Sequence, residues 1–387
     1  MDFENLFPKI VFNTLMNQFE ISSDSKCICL SGKLYKNCCK AYVDSLNEAT
    51  RDYDTISKKI GLKKFQNAKQ RTDKRSAPNI LGEKIEKRAR KKLSFCFIRE
   101  LFEEDNISMN CSSKIIKAHT IAEKNLKKLQ TETEELYTFN DHAFVEEFDI
   151  KHVDLFYKKI NPTTASKYTM FCGNHDNLVF PDIENDNKVF FKKEKEYIEV
   201  LEYSIKAASF ELYYKLLQIF YLAEYFIDSK EIYNSDFIRA YKSEIDYYCV
   251  FKKYLKRLLI DYKEYTTYGK INMNFKYDIR HLQTSKIGFS LSECMTDDCD
   301  EVVFVNVFNN ENAYVVLSTY GDFGKKIEDY ELIEFILINS TNIFFNKEFF
   351  ENLSREEKSS LFKIRRGLNN FEDGINLLGV LRKLLNY

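Results

Sequence analysis

Tryptophan is absent from this chain of 387 residues, so its 33 phenylalanines and 25 tyrosines must supply the aromatic packing of the core. No segment approaches the roughly 18 uninterrupted apolar residues of a membrane span. The most apolar candidate, LLQIFYLAEYFI at 216–227, is twelve residues long, carries Glu224 and reads as a buried helix. The amino terminus, MDFENLFPKI, has acids where a secretory leader needs a basic segment, so a cytoplasmic setting without membrane contact is expected. No internal repeat is visible. The formal net charge is only −1, which excludes a strongly basic or acidic chain taken as a whole.

What is present is unevenly distributed. With 44% hydrophobic and 30% charged residues, the chain is a soluble globular protein long enough for two or three domains. Residues 58–92 hold fourteen Lys or Arg against Asp73, Glu83 and Glu86, a local charge of 14 minus 3, or +11, which leaves −12 for the remainder. A basic segment on an acidic body suits a polyanion-binding arm, with Arg88, Arg90, Lys91 and Lys92 as the candidate nucleic-acid contacts. A solvated linker or helix face has the same composition.

Ten cysteines remain to be explained. In a reducing cytosol, clustered cysteines indicate metal or catalysis before disulfides. Four fall in CICLSGKLYKNCCK at 27–40, and Cys27, Cys29, Cys38 and Cys39 supply the four thiolates of a tetrahedral Zn²⁺ site. The bend they require is available at Ser31-Gly32. Lys26, Lys33, Lys36 and Lys40 would favour the thiolate forms. The competing reading is a chance cluster or a redox patch.

Cys27, Cys29, Ser31, Gly32, Tyr35, Cys38 and Cys39 fit the pattern CxCxSGxxYxxCC, and the stretch resembles the SEC-C zinc-binding motif. That resemblance covers about fourteen residues and implies docking onto a protein or a ribosome.

Periodicity divides the rest of the chain. Helical patterns occur at 8–20 and 42–60, and two long aromatic ones between 188 and 265 suggest an antiparallel helix pair. EVVFVNVF at 301–308 and AYVVLSTY at 313–320 flank NNEN and read as a β-hairpin. Helices are expected from Tyr330 onward. Cys294 and Cys299 have a Cx4C spacing without a second ligand pair, which reads as a loop with incidental cysteines. His142, His152 and His281 stand without partner spacing and read as surface or core residues.

A second constellation lies between the basic segment and the long helices. Cys96, Cys111 and His119 fall within 95–126, and Cys172, His175 and Asp176 within FCGNHDNLVF. IIKAHTI reads as a short strand ending on a histidine, and CGNHDNLVF as the start of a helix. This order resembles the HNH, or ββα-metal, nuclease core. The resemblance implies that Cys96, Cys111, Cys172 and His175 hold a structural Zn²⁺. It implies His119 as general base and Asp176 as ligand of a catalytic Mg²⁺ or Mn²⁺ in phosphodiester hydrolysis. Ala118 stands where the family often has a metal ligand, and 52 residues separate His119 from Cys172. Asn125, Asn174 and Asn177 each remain candidates for the family's middle asparagine. A zinc site that only holds the domain together is the competing reading. The region from 94 onward also looks like a group of uncharacterised bacterial proteins.

The expected fold is therefore α+β and helix-rich. Residues 1–57 carry the SEC-C zinc module, 58–93 the basic connector, 94–187 the HNH-like zinc core, and 188–387 a helical domain with a β-hairpin. The expected function is a zinc-binding protein that engages DNA or RNA, with metal-dependent cleavage as its chemistry. The alternative is a non-catalytic adaptor that docks onto a ribosome or another protein through the SEC-C module.

Overall fold

The computed structural model describes residues 93–102, 111–112, 114–129, 135–140, 150–184, 191–229, 235–282, 287–296, 302–309, 312–321, 329–340, 342–365 and 371–385, with 23, 24, 34–37, 87 and 90 besides. The chain divides into two compact units, Met1–Leu93 with Tyr214–Val250 and Ser94–Tyr213 with Phe251–Tyr387. The fold is α+β. Among the described residues no helix is long and apolar enough to cross a membrane.

The second unit is built on one seven-stranded antiparallel sheet. Its strands are β2 (Leu136–Phe139), β3 (Tyr157–Ile160), β5 (Lys276–His281), β6 (Phe289–Thr296), β7 (Val302–Asn309), β8 (Ala313–Thr319) and β9 (Ile343–Asn346), in the order β3-β2-β9-β6-β7-β8-β5. A separate ribbon pairs β1 (Ala118–His119) with β4 (Lys167–Tyr168), His119 opposite Lys167. β7 and β8 are buried along almost their whole length, so VVFVNVF and AYVVLST run apolar without alternation because both of their faces are covered.

One face of the sheet meets α6 (Asp329–Asn339), α8 (Arg355–Arg365) and α9 (Phe371–Leu385), and Ile336, Phe362 and Val380 pack with Val305, Val307 and Leu317. The opposite face receives α2 (Glu123–Leu129) across β6 and β7. α4 (Glu196–Ser229) lies on that face too: the rings of Tyr203 and Phe308 stack at 4.8 Å, and the hydroxyls of Ser204 and Ser318 are 2.5 Å apart. Tyr197 near the start of α4 meets Tyr265 near the end of α5 (Ser235–Tyr268) at 5.0 Å, so the two long helices are antiparallel as their periodicity suggests. Phenylalanine and tyrosine rings do supply much of this packing.

The hairpin expected at 301–320 is present as β7 and β8, with Asn309 opposite Ala313. It is the middle of a sheet and not an accessory to a helical domain. β9 interrupts the helices expected after Tyr330, and Cys294, expected in a loop, is buried inside β6. The sheet also takes β2 and β3 from before position 188. β2 and β9 escape a periodic reading because LYTF and IFFN are four residues long and mostly buried, and so show no alternation.

A close approach fixes the start of β6. A Cβ on Gly288 would lie 2.7 Å from Phe349 Cγ and 3.1 Å from Leu384 Cδ2. Gly288→Ala is therefore expected to lower stability by about 1–3 kcal/mol in urea denaturation, the usual cost of overfilling a packed core.

Candidate metal centre

The first ligand, Cys96, precedes α1 (Phe97–Phe102), whose start is tied down by the Phe97 amide donating to Met170 O at 2.9 Å. Cys172 caps α3 (Gly173–Val179) and bridges to Ile115, while the Ile116 amide donates to Phe171 O at 3.1 Å. That bridge draws the segment carrying Cys111 beside the start of α3. Cys172 and His175 are three residues apart at a helix start and so share one face.

These elements bring the four predicted ligands together. One ligand atom each from Cys96, Cys111, Cys172 and His175 lies within 4.8 Å of the others. Cys96 Sγ is 3.0 Å and Cys172 Sγ 3.4 Å from His175 Nδ1, and the sulfurs of Cys111 and Cys172 are 3.5 Å apart. Tetrahedral Zn²⁺ with thiolate and imidazole ligands places its donors roughly 3.5–3.8 Å apart; the donors here run from 3.0 Å to at most 4.8 Å apart, close enough to share one ion. Cys96, Cys172 and His175 are buried and Cys111 is half-buried.

The electrostatics of the cluster call for a cation. Burial, the hydrogen bond to Cys172 and the charge of Cys96 push the Cys111 thiol up to about 12. Burial opposes ionisation of Cys172, yet hydrogen bonds from Ser112, the His175 amide and Cys111 hold its thiol below the ordinary range. Three thiols crowded together resist losing all their protons, and a bound dication removes that penalty.

His119 is outside this ligand set. Its Nδ1 lies 3.3 Å from Ser166 Oγ and its Nε2 3.3 Å from Glu123 Oε2, the latter without the alignment of a hydrogen bond. The Ser166 hydroxyl donates to Ile121 O at 3.1 Å. With that proton committed, Ser166 can only accept from the imidazole, which places the neutral ring's proton on Nδ1 and leaves Nε2 bare. Burial, then the charges of Lys167 and Lys206, hold the His119 pKa below its ordinary value against the opposing effect of Glu123.

Asp176 follows the last cysteine-cluster ligand on α3. Burial raises its pKa, the nearby Lys206 lowers it, and one carboxylate oxygen, Oδ1, is buried without a hydrogen-bond partner. Among the described residues, the Cys3His cluster is the one group of three or more metal-ligating side chains close enough to share an ion, so Asp176 has no companions of that kind.

Lys206 is the residue that motif reading missed. Only 2% exposed, it donates to His119 O at 3.0 Å, pairs with Glu184 and lies 4.8 Å over the Phe180 ring. Its sole sequence signal is a charge inside SIKAASF, the otherwise buried stretch of α4. Glu123 lies four residues after His119, at the start of the helix that follows the strand.

Of the other expected site residues, Cys27, Cys29, Cys38, Cys39, Arg88, Lys91 and Lys92 lie outside the described residues. Within the SEC-C-like stretch, Tyr35–Asn37 forms a 3-10 turn, the Lys36 amide donates to Ser23 O at 2.9 Å, and the Lys36 ammonium pairs with Asp24. The helices expected at 8–20 and 42–60 also fall outside.

Fold and site together define an α+β protein with a Cys3His cluster able to hold one metal ion, of a ligand type that suits zinc. Compared with protein families, curated proteins and solved structures, the chain matches none.

Proposed function

We propose that the chain engages DNA or RNA and hydrolyses phosphodiesters at the site around His119, with Zn²⁺ on Cys96, Cys111, Cys172 and His175 as a structural ion. One observation carries this: His119 stays out of the cysteine cluster, yet shares the Lys206 and Glu184 charges with Asp176. A histidine whose pKa is held below its ordinary value is suited to take a proton once water reaches its Nε2, which is buried beside Glu123. The order of β1, β4 and α3, with two cluster ligands at the start of α3, supports the likeness to a ββα-metal core.

In this mechanism His119 Nε2 takes the proton of a water as its oxygen bonds to phosphorus, and the phosphorus–oxygen bond to the leaving group breaks. Ser166 and the Lys206 ammonium hold the imidazole and the strand that carries it. Asp176 would hold Mg²⁺ or Mn²⁺ through one carboxylate, the remaining positions being left to water and substrate phosphate; when bound, the ion supplies positive charge for the departing oxygen. Residues 58–93, including Arg88, Arg90, Lys91 and Lys92, would add sequence-independent grip on the backbone. The SEC-C-like residues would hold a second Zn²⁺ within 1–57.

Incubation of the full chain with end-labelled DNA and RNA oligonucleotides, with and without Mg²⁺ or Mn²⁺, tests the proposal. Cleavage of at least one substrate is expected. Binding of both without cleavage under any of these conditions overturns the catalytic assignment and leaves the non-catalytic adaptor.

A further inference from the structure

Four lysines or acids act on the charge of His119, and their pairing separates them. Glu184 is engaged by Lys206, and Glu123 by Lys127 at 2.8 Å. Lys206 itself is spent on Glu184 and on the carbonyl of His119. Lys167 is different: it is half-buried and makes no ion pair among the described residues. It is also the residue directly opposite His119 in the β1–β4 ribbon. Residues opposed in an antiparallel pair project to the same face with Cβ atoms about 4.5–5.5 Å apart, so the ammonium and the imidazole emerge side by side.

The ribbon is held rigidly for so short an element. Tyr168, next to Lys167, packs its ring on Phe210 at 4.7 Å and on Tyr213 at 5.0 Å, both on α4. Ser166, on the other side, has φ +57°, a left-handed conformation that costs a non-glycine residue about 1 kcal/mol or more. Its hydroxyl is fixed by the Ile121 backbone and the His119 ring. The chain thus accepts local strain just where it sets His119 and Lys167 next to each other.

We infer that Lys167 is the substrate-phosphate contact of this site, its ammonium holding a nonbridging oxygen of a phosphodiester beside the His119 ring. The inference rests on the reading of His119 as the base of a phosphodiesterase. Lys167 is already felt by His119, whose protonation its charge disfavours. A phosphate seated on Lys167 would satisfy the cation and bring phosphorus beside the imidazole, whose buried Nε2 is reached when the Glu123 carboxylate moves aside.

The test uses the full chain labelled on its five histidines, with inorganic phosphate as the probe. The His119 ring signal is assigned by its absence in His119→Ala. Phosphate is expected to shift that signal saturably in the wild type, with about tenfold weaker binding in Lys167→Met and at most a small change in Lys167→Arg, as for loss of one charged hydrogen bond. Unchanged melting and zinc content in Lys167→Met would show that the fold is intact. No saturable shift in the wild type, or equal phosphate binding by the wild type and a folded Lys167→Met, overturns the inference. Should Lys167→Met fail to fold, Lys167→Gln takes its place under the same criteria. Phosphate binding that follows Lys167 in a chain that cleaves no oligonucleotide would leave the anion site standing and remove only the nuclease assignment.

Discussion

Cys172→Ser is expected to release one equivalent of metal per chain and to lower the melting temperature of the second unit by roughly 6–12 °C, corresponding to about 3 kcal/mol. Cys172 is buried and touches Cys111 and His175, so its loss removes a ligand from the middle of the cluster, while its place before α3 tolerates serine. A serine hydroxyl binds zinc poorly, and the three remaining ligands would then face one another without a cation. Metal analysis beside calorimetry checks both effects. Cys249→Ser is the control, because Cys249 lies outside the cluster, and it should leave the metal content unchanged. A Cys172→Ser protein with unaltered metal content and melting would show that these four residues are neighbours without an ion. Structural zinc would then have no place in the second unit.

His119→Ala should have the opposite signature. Cleavage is expected to fall by about 10² to 10⁴-fold, the usual contribution of a general base, while zinc content stays at the wild-type level. The separation follows from geometry: His119 contacts Ser166 and Glu123, and the cluster is completed without it. Kinetics on the oligonucleotide cleaved by the wild type, with metal analysis of the same sample, give the comparison. Loss of zinc together with activity would reassign His119 to a structural role. Activity within a few-fold of wild type would remove it from the chemistry. The pH dependence has a definite sign as well. Burial, Lys167 and Lys206 depress the His119 pKa, so the base stays competent to lower pH than an ordinary histidine, and the acid limb of the rate profile should lie below its usual position.

The two substitutions distinguish parts of the chain that differed in how far sequence alone could reach. Spacing was enough to put Cys172 and His175 on one face of a helix start, because residues three apart there share a face whatever surrounds them, and it was the resemblance that made them ligands. It was enough for the β7–β8 hairpin and for the two long helices, whose signals repeat over many residues. It was also enough for the short strand ending at His119 and the helix after Cys172. Cys96 and Cys111 were different, since fifteen positions apart they form no ligand pair of their own, and only a resemblance joined them to Cys172.

The remainder depended on contacts between distant segments. Leu136 meets Asn346 across β2 and β9, and nothing local in either four-residue strand specifies that partner. Strand pairing is selected by which buried faces meet, so a sheet of seven strands looked like a hairpin among helices. Lys206 shows the same limit at the site. A lysine within a buried helical stretch is conspicuous in sequence, but its role depends on Glu184 and the His119 carbonyl arriving around its ammonium. The sequence by itself determined the ligand types, the local elements that carry them and the position of His119, because those follow from short-range periodicity and side-chain chemistry. Only the tertiary structure decided that Cys96 and Cys111 close the cluster, that His119 stands apart from it, that Lys167 lies opposite His119 and that Lys206 reaches the His119 carbonyl, because each of these requires chain segments far apart in sequence to be packed against one another.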